Sequence, residues 1–375
     1  MKINKLNFKD YAAKKPIFVA ASGKFLAITE VVKDRSLSFG SLHTLSNDLQ
    51  VKLTLERYKL EPDFKLGIFD SGTMSKAEVM KNIKDQTDFG KLAVQVEMQY
   101  CNELMGLVKK TSIPRIPKIP RKPIRVVPDW RHIRRCFWIK LKTTALFAEN
   151  TTDSVTNSFA AYRIAHVHPI FTSRGFNVVA NTGTSDTRTN FVITAKKSLT
   201  TYISGIGHGG YDVYTGHAGG HILKVGAYDA NEVKDKAIHF LSCKTAATLG
   251  PDTVAKGAKC YAGYDENFTF VWDDPATPIS EVDLFKKCDS TFDIWMAYGY
   301  SAQQAYNATI ATFNAKIALV PGTAAASWLS YDRDHLRLHG EPATKIRPYR
   351  YVKFCLPFKI RLHEEMLAEI GELID

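Results

Sequence analysis

A thiol and an imidazole each stand at the end of an apolar run, and that pair is where this chain could do chemistry. His208 follows Tyr202-Ile203-Ser204-Gly205-Ile206-Gly207 and precedes Gly209-Gly210. Cys243 follows Ala237-Ile238-His239-Phe240-Leu241-Ser242. Short apolar runs bounded by glycine or polar clusters suit the inner strands of a parallel sheet. Two such strands side by side would deliver both side chains to the carboxyl edge of the sheet, where open α/β sheets bind ligands. There a thiolate can attack a carbonyl carbon, and the imidazole can protonate the leaving amine and activate water. Gly209 lets backbone approach a substrate closely. The alternative is a buried structural cysteine beside a loop histidine.

Gly207-His208-Gly209-Gly210 and Leu241-Ser242-Cys243 resemble the caspase-like (clan CD) cysteine peptidases, which end one strand with His-Gly and the next with Ala/Ser-Cys. The interval of 35 positions is similar to that of the gingipain-like branch. Leu336-Arg337-Leu338-His339-Gly340-Glu341-Pro342 resembles the Leu-x-Gly-Asp-Pro strand-turn that closes gingipain-like domains. Here Glu341 replaces Asp, and His339 stands where an apolar residue or Tyr is common. The resemblance covers residues 130–345 and implies a cysteine endopeptidase that works through an acyl-enzyme, with no cofactor. It also implies an oxyanion hole made by the amides of Gly209 and Cys243, donors aimed where negative charge develops. Loops at this sheet edge build the specificity pocket in that family. Asp265 and Glu266, with Asp212 as a weaker candidate, would there favour Arg or Lys at P1. An ordinary acidic turn is the alternative for these carboxylates.

The elements that must position this pair follow a proline-rich stretch. Residues 109–128 carry Ile113-Pro114-Arg115-Ile116-Pro117-Lys118-Ile119-Pro120-Arg121-Lys122-Pro123, which forbids helix and favours an extended, solvated linker. It divides an N-terminal α+β domain (1–108) from a caspase-like domain (129–345), with a strand and helix extension at 346–375. In the first domain, alternation at Val51-Lys52-Leu53-Thr54-Leu55 suggests a strand. Ser75 and Glu78 form a capping box opening a long helix with Val79, Ile83, Leu92, Val96 and Leu104 inward and Gly90 as a weak point. After the linker, strands alternate with helices. Strands are expected at 136–141, 176–180, the His208 and Cys243 runs and 260–264, and helices at 152–172, 188–197, 251–256 and 292–318. Residues 211–225 read as a hairpin beside the site. Strands at 351–356 and a helix at 364–373 close the chain. This pattern predicts a mainly parallel sheet with helices on both faces.

The remaining histidines give weaker signals. His217 and His221 in His-Ala-Gly-Gly-His cannot share a helix face across two glycines, so a loop or substrate-contact role is expected rather than a metal site. His239 reads as buried packing.

Composition bounds the partners. The 375 residues, 45% of them hydrophobic, suit a soluble protein of two domains. No run approaches the length of a membrane span, and Ile17–Ala21 is too short for a signal-peptide core. Six scattered cysteines without a CxxC pair fit a reducing, cytoplasmic setting rather than a disulfide framework or zinc site. The net charge of +12 comes with no nucleic-acid motif, so nucleic acid is not an expected partner. The resemblance implies a protein or peptide substrate, and an activating protein at the N-terminal domain is a further expected partner. A different class remains open: a non-catalytic module of the same fold that binds a protein partner or nucleic acid.

Overall fold

In this computed structural model the described residues are 2–3, 6–20, 22–33, 41–69, 72–109, 136–272 and 280–355. They form two compact units. The first takes the described residues up to 109 with those of Glu266–Asp289 and Ala308–Leu336. Two segments expected in the 129–345 domain therefore group with the N-terminal residues. Beyond Lys109, the expected linker lies outside the described residues, as does the helix expected at 364–373.

In the first unit, the strand Lys65–Ile68 is flanked by Gly72–Ser75 and Thr269–Trp272, both antiparallel to it. The strand expected at 51–55 is part of the helix Asn47–Lys59. Its buried residues Leu53, Thr54, Arg57 and Tyr58 follow helical rather than period-two spacing. Arg57 is buried and ion-paired to Glu97 at 2.7 Å. The Ser75–Glu78 capping box is present. The long helix breaks at Gln86, whose φ of 52° lies in the left-handed region, giving Lys76–Asp85 and Asp88–Lys109.

The second unit is built on a six-stranded sheet. Its spatial order is Leu336–Gly340, Cys260–Tyr264, Ala237–Leu241, Thr200–Ile206, Thr144–Glu149, Asn177–Thr182. The pairings from Cys260–Tyr264 across to Asn177–Thr182 are all parallel. The expected α/β architecture, a mainly parallel sheet with flanking helices, is thus observed. Both faces are buried. Leu146, Ala148, Ile203, Ile238 and Phe240 pack on one side with Phe191 and Leu249. Ala145, Phe147, Tyr202 and Ala237 pack on the other with Phe171, Phe292 and Met296. Burial of both faces is why these strands read as apolar runs rather than as alternation.

The first strand of this sheet is Thr144–Glu149, not 136–141. Cys136–Lys142 is a strand, but it pairs antiparallel with Tyr349–Cys355 in a separate ribbon, and Trp138 is 61% exposed. The helix expected at 152–172 is two, Ser154–His166 and His168–Ser173, with Pro169 in the first turn of the second. That at 292–318 is also two, Glu281–Ala297 and Ala302–Leu319.

A charged network lies buried on the Phe147 face. Arg163 Nε reaches Glu149 at 3.1 and 3.2 Å, Nη1 reaches Asp293 at 2.7 Å and Nη2 donates to Ser204 Oγ at 2.6 Å. Tyr202 and Ser204 hydroxyls donate to Asp293 at 2.6 and 2.7 Å. His239, expected as packing, lies 3.1 Å from Asp293. Burial pushes the Asp293 carboxyl up, but Arg163 and His239 outweigh it and hold that group well below the ordinary carboxylate range. Removing one member of such a network leaves buried charges uncompensated. We expect Arg163→Met to destabilise the protein by about 3–5 kcal/mol in urea denaturation; a loss within the ±0.5 kcal/mol typical of surface changes would show that the network is dispensable.

Candidate active site

The sheet order contains a switch point. From Thr144–Glu149 the chain first moves outward to Asn177–Thr182, then returns across it to Thr200–Ile206. Loops leaving the carboxyl ends of Thr144–Glu149 and Thr200–Ile206 therefore diverge, which opens a crevice for ligands at that edge. His208 follows Thr200–Ile206, and Cys243 follows the next strand, Ala237–Leu241. Ile206 and Leu241 are register partners, so His208 and Cys243 stand two residues beyond one matched pair.

Asp153 is the residue that sequence reading missed. It caps the helix Ser154–His166, accepting from the amides of Val155 and Thr156 at 2.8 and 3.0 Å. Its Oδ2 also lies 2.8 Å from His208 Nε2. Burial raises the Asp153 carboxyl, but the Thr156 amide, the His208 ring and the Thr156 hydroxyl together hold it below its ordinary value. An ionised carboxylate there fixes the ring's orientation and stabilises its protonated form. The run Thr152-Asp153-Ser154 signals an N-cap. Its contact with a histidine 55 positions on carries no local signal.

Glycines make room for this arrangement. Tyr214 lies flat on Phe240, ring centroids 3.9 Å apart, and its hydroxyl donates to the Ala148 carbonyl at 2.8 Å. A Cβ at Gly205 or Gly207 would overlap Tyr214 or the neighbouring backbone. A Cβ at Gly209 would overlap Ser242 Oγ and come within 2.9 Å of the Cys243 carbonyl oxygen. The histidine and cysteine loops are therefore in direct contact. The expected hairpin is present as Val213–Thr215 and His221–Lys224, joined to Gly209–Gly210 in a three-stranded sheet.

The cysteine loop is braced from several directions. Lys244 adopts φ 61°, a conformation uncommon for residues other than glycine, and its ammonium lies 5.2 Å from the Tyr211 ring centre. The Ala246 amide donates to Tyr264 O at 2.9 Å, and the Ala246 carbonyl lies 2.8 Å from His339 Nε2. His339, one of the two departures from the expected strand-turn pattern, thus holds the loop that carries the thiol. Cys243 itself is fully buried, whereas the His208 side chain is 32% exposed. Burial pushes the thiols of Cys101 and Cys260 up to about 12 and raises that of Cys288, which makes these three poor nucleophiles.

The three expected specificity carboxylates have different surroundings. Asp265 follows Cys260–Tyr264 and is ion-paired with Arg337 at 2.6 Å. Asp212 is exposed in the turn before Val213–Thr215. Glu266 begins a segment that groups with the first unit. His217 lies on a strained turn in which Ala218 has φ 52°. Its ring is 3.4 Å from Thr152 Oγ1, next to Asp153; His221 is exposed at the start of its strand.

Beneath this turn sits Asp186, 1% exposed, with neither carboxylate oxygen hydrogen-bonded among the described residues. Burial, with Glu149 adding to it, pushes its carboxyl up to about 8. A free Asp titrates near 3.9.

No family model matches the chain, and no curated protein matches it. Among solved structures, it is similar to one described as the Arg-specific cysteine proteinase gingipain R (RgpB), at 10% identity and a TM-score of 0.36. It is also similar to the complex of Porphyromonas gingivalis RgpB pro- and mature domains, at 10% identity and a TM-score of 0.35. Each match covers 55% of this chain and 48% of the other, so this chain spans about half the length of those it matches. At such values any assignment of chemistry rests on the residues of this chain.

Two outcomes test this description. Gly209→Ala forces the two loops apart, and we expect it to lower the melting temperature by several degrees, equivalent to about 1–3 kcal/mol; an unchanged melting curve would show that the loops have slack. For Asp186, the native state holds a proton that the unfolded chain has released, from about pH 4 to about pH 8. Stability therefore falls with rising pH across that window, by at most about 1.4 kcal/mol per unit. Asp186→Asn removes this slope, so its melting temperature should gain on the wild type as pH rises from 5 to 8. Parallel curves would mean that Asp186 is ionised when folded.

Proposed function

We propose that this protein is a cysteine endopeptidase of the caspase-like kind, with Cys243 as nucleophile and His208 as general acid and base. The observation that carries the reading is the Asp153–His208 hydrogen bond at the switch point, beside a loop that opens with Ser242-Cys243. The His208 ring, oriented and electrostatically supported by Asp153, takes the Cys243 thiol proton as sulfur attacks the scissile carbonyl and passes it to the departing amine. It then takes a proton from the water that attacks the acyl group and returns that proton to the released sulfur. Amides of Gly209 and Cys243 would receive the oxyanion. Protein or peptide chains are the substrate this chemistry implies. Asp212 is the exposed carboxylate that would favour a basic P1 residue, because the charge of Asp265 is already met by Arg337.

The full burial of Cys243 favours a second reading, a closed scaffold of the same fold that binds a partner without cleaving it. Under the peptidase reading, the braced loop must open before substrate reaches sulfur. A peptide carrying a thiol-directed acyl electrophile separates the two: a working site is labelled at Cys243 ahead of the other five cysteines, and a scaffold is labelled by exposure alone.

Cys243→Ala and His208→Ala should each abolish cleavage of a mixed peptide library while leaving the protein folded. Asp153→Asn keeps a good helix cap but removes the charge facing His208. It should lower kcat on the order of 100-fold or more, with KM little changed. Undiminished cleavage by folded Cys243→Ala protein would exclude the assignment.

A further inference from the structure

The opposite edge of the same sheet carries a second feature, independent of the peptidase reading. A cavity of about 860 Å³ opens at the amino-terminal ends of the strands, where Thr200, Ala237 and Lys259 lie. A six-residue strand advance puts it about 20 Å from the His208–Cys243 edge. Four lysines line it from loops between strands: Lys196, Lys234, Lys236 and Lys259. Lys345, Arg347 and Arg350 line it from the segment after the closing strand. The only carboxylate in the lining among the described residues is Asp235.

Cations gathered around one concavity repel one another and raise the local concentration of anions. Little in the described protein relieves that repulsion. Lys259 lies 3.7 Å from Asp235, and Lys196 3.4 Å from Asp229. Lys234, Lys345, Arg347 and Arg350 make no ion pair among the described residues. Lys236 is only 4% exposed, and its Nζ donates to the carbonyls of Asn231 and Lys234, at 3.1 and 3.0 Å, rather than to a carboxylate. Burial pushes this ammonium down to about 8, against the opposing pull of Asp235 and Glu232. Thr201, also in the lining, holds a buried hydroxyl with no hydrogen-bond partner among the described residues.

We propose that this cavity binds a compact polyanion, a small molecule carrying several phosphate groups. Arginine at 347 and 350 supplies forked donors suited to phosphate oxygens, and the lysines supply point charges around them. Cations converging on one concavity from several strand ends favour a compact ligand over an extended strand of nucleic acid, although Tyr349 and Tyr351 in the lining could stack on bases.

The test uses the full chain, with inorganic tripolyphosphate as probe, in calorimetric titration and thermal melts. The wild type should bind the probe and melt at a higher temperature in its presence. The double variant Lys345→Ala/Arg347→Ala, in which both residues are exposed, should bind about tenfold more weakly or worse, since two charge-assisted contacts to the probe are lost. The control Lys52→Ala/Lys81→Ala removes the same charge from exposed helix positions elsewhere and should bind as the wild type does. Equal weakening in both variants would reduce the effect to net charge and overturn the proposal, as would no binding by the wild type. A 12-nucleotide oligothymidylate that binds more tightly than tripolyphosphate, and is lost with Tyr351→Ala, would overturn it in favour of nucleic acid.

Discussion

One buried guanidinium ties together the strands that carry the candidate site. Arg163 joins Glu149, at the end of the strand leading to Asp153, to Ser204 in the strand leading to His208. Through Asp293 it also reaches His239, in the strand leading to Cys243. Charges taken out of water must be met by partners of good geometry, so the relative heights of these strands are not free to drift. The register that sets His208 beside Cys243 is held by hydrogen bonds along the ladder and by this polar clamp behind it. Such a network contributes less to net stability than to fixing one arrangement, because desolvation offsets much of the attraction.

The other constraint is close packing at the sheet edge. Tyr214 lies across the histidine strand only because residues 205 and 207 lack side chains, and the two loops meet only because residue 209 does. Glycine at these positions serves close approach rather than an unusual dihedral angle. The loop after Cys243 does carry strain, at Lys244, and is braced by Tyr264 and His339. A thiol held this way is well positioned and poorly accessible. Catalysis would require loop opening, and a binding scaffold would not.

The two edges of the sheet differ in electrostatic character. At the carboxyl edge, Asp153 is met by helix amides and an imidazole, and Asp265 by Arg337. At the amino edge, cations gather with a single carboxylate in the lining among the described residues. The overall excess of positive charge is thus partly concentrated in one concavity, a distinction that net charge cannot express.

The sequence by itself determined the α/β pattern of the second unit, the strands that end in His208 and Cys243, the hairpin between them and the capping box at Ser75. These signals are local: apolar runs for strands buried on both faces, glycine pairs at turns, and a hydroxyl three residues before a glutamate. Tertiary structure decided the rest. The segment 136–142 reads as a strand and is one, but only pairing partners assign it to an outer ribbon and give Thr144–Glu149 the place in the sheet. Val51–Leu55 alternates by chance within a helix, and burial of Arg57 on that helix depends on Glu97, forty positions on. Asp153 announces itself as a helix cap, yet its contact with His208 exists because strand order brings residues 55 positions apart to one crevice. Asp186 and the cationic cavity are invisible in sequence for the same reason: burial and enclosure are properties of what surrounds a residue, not of its neighbours along the chain.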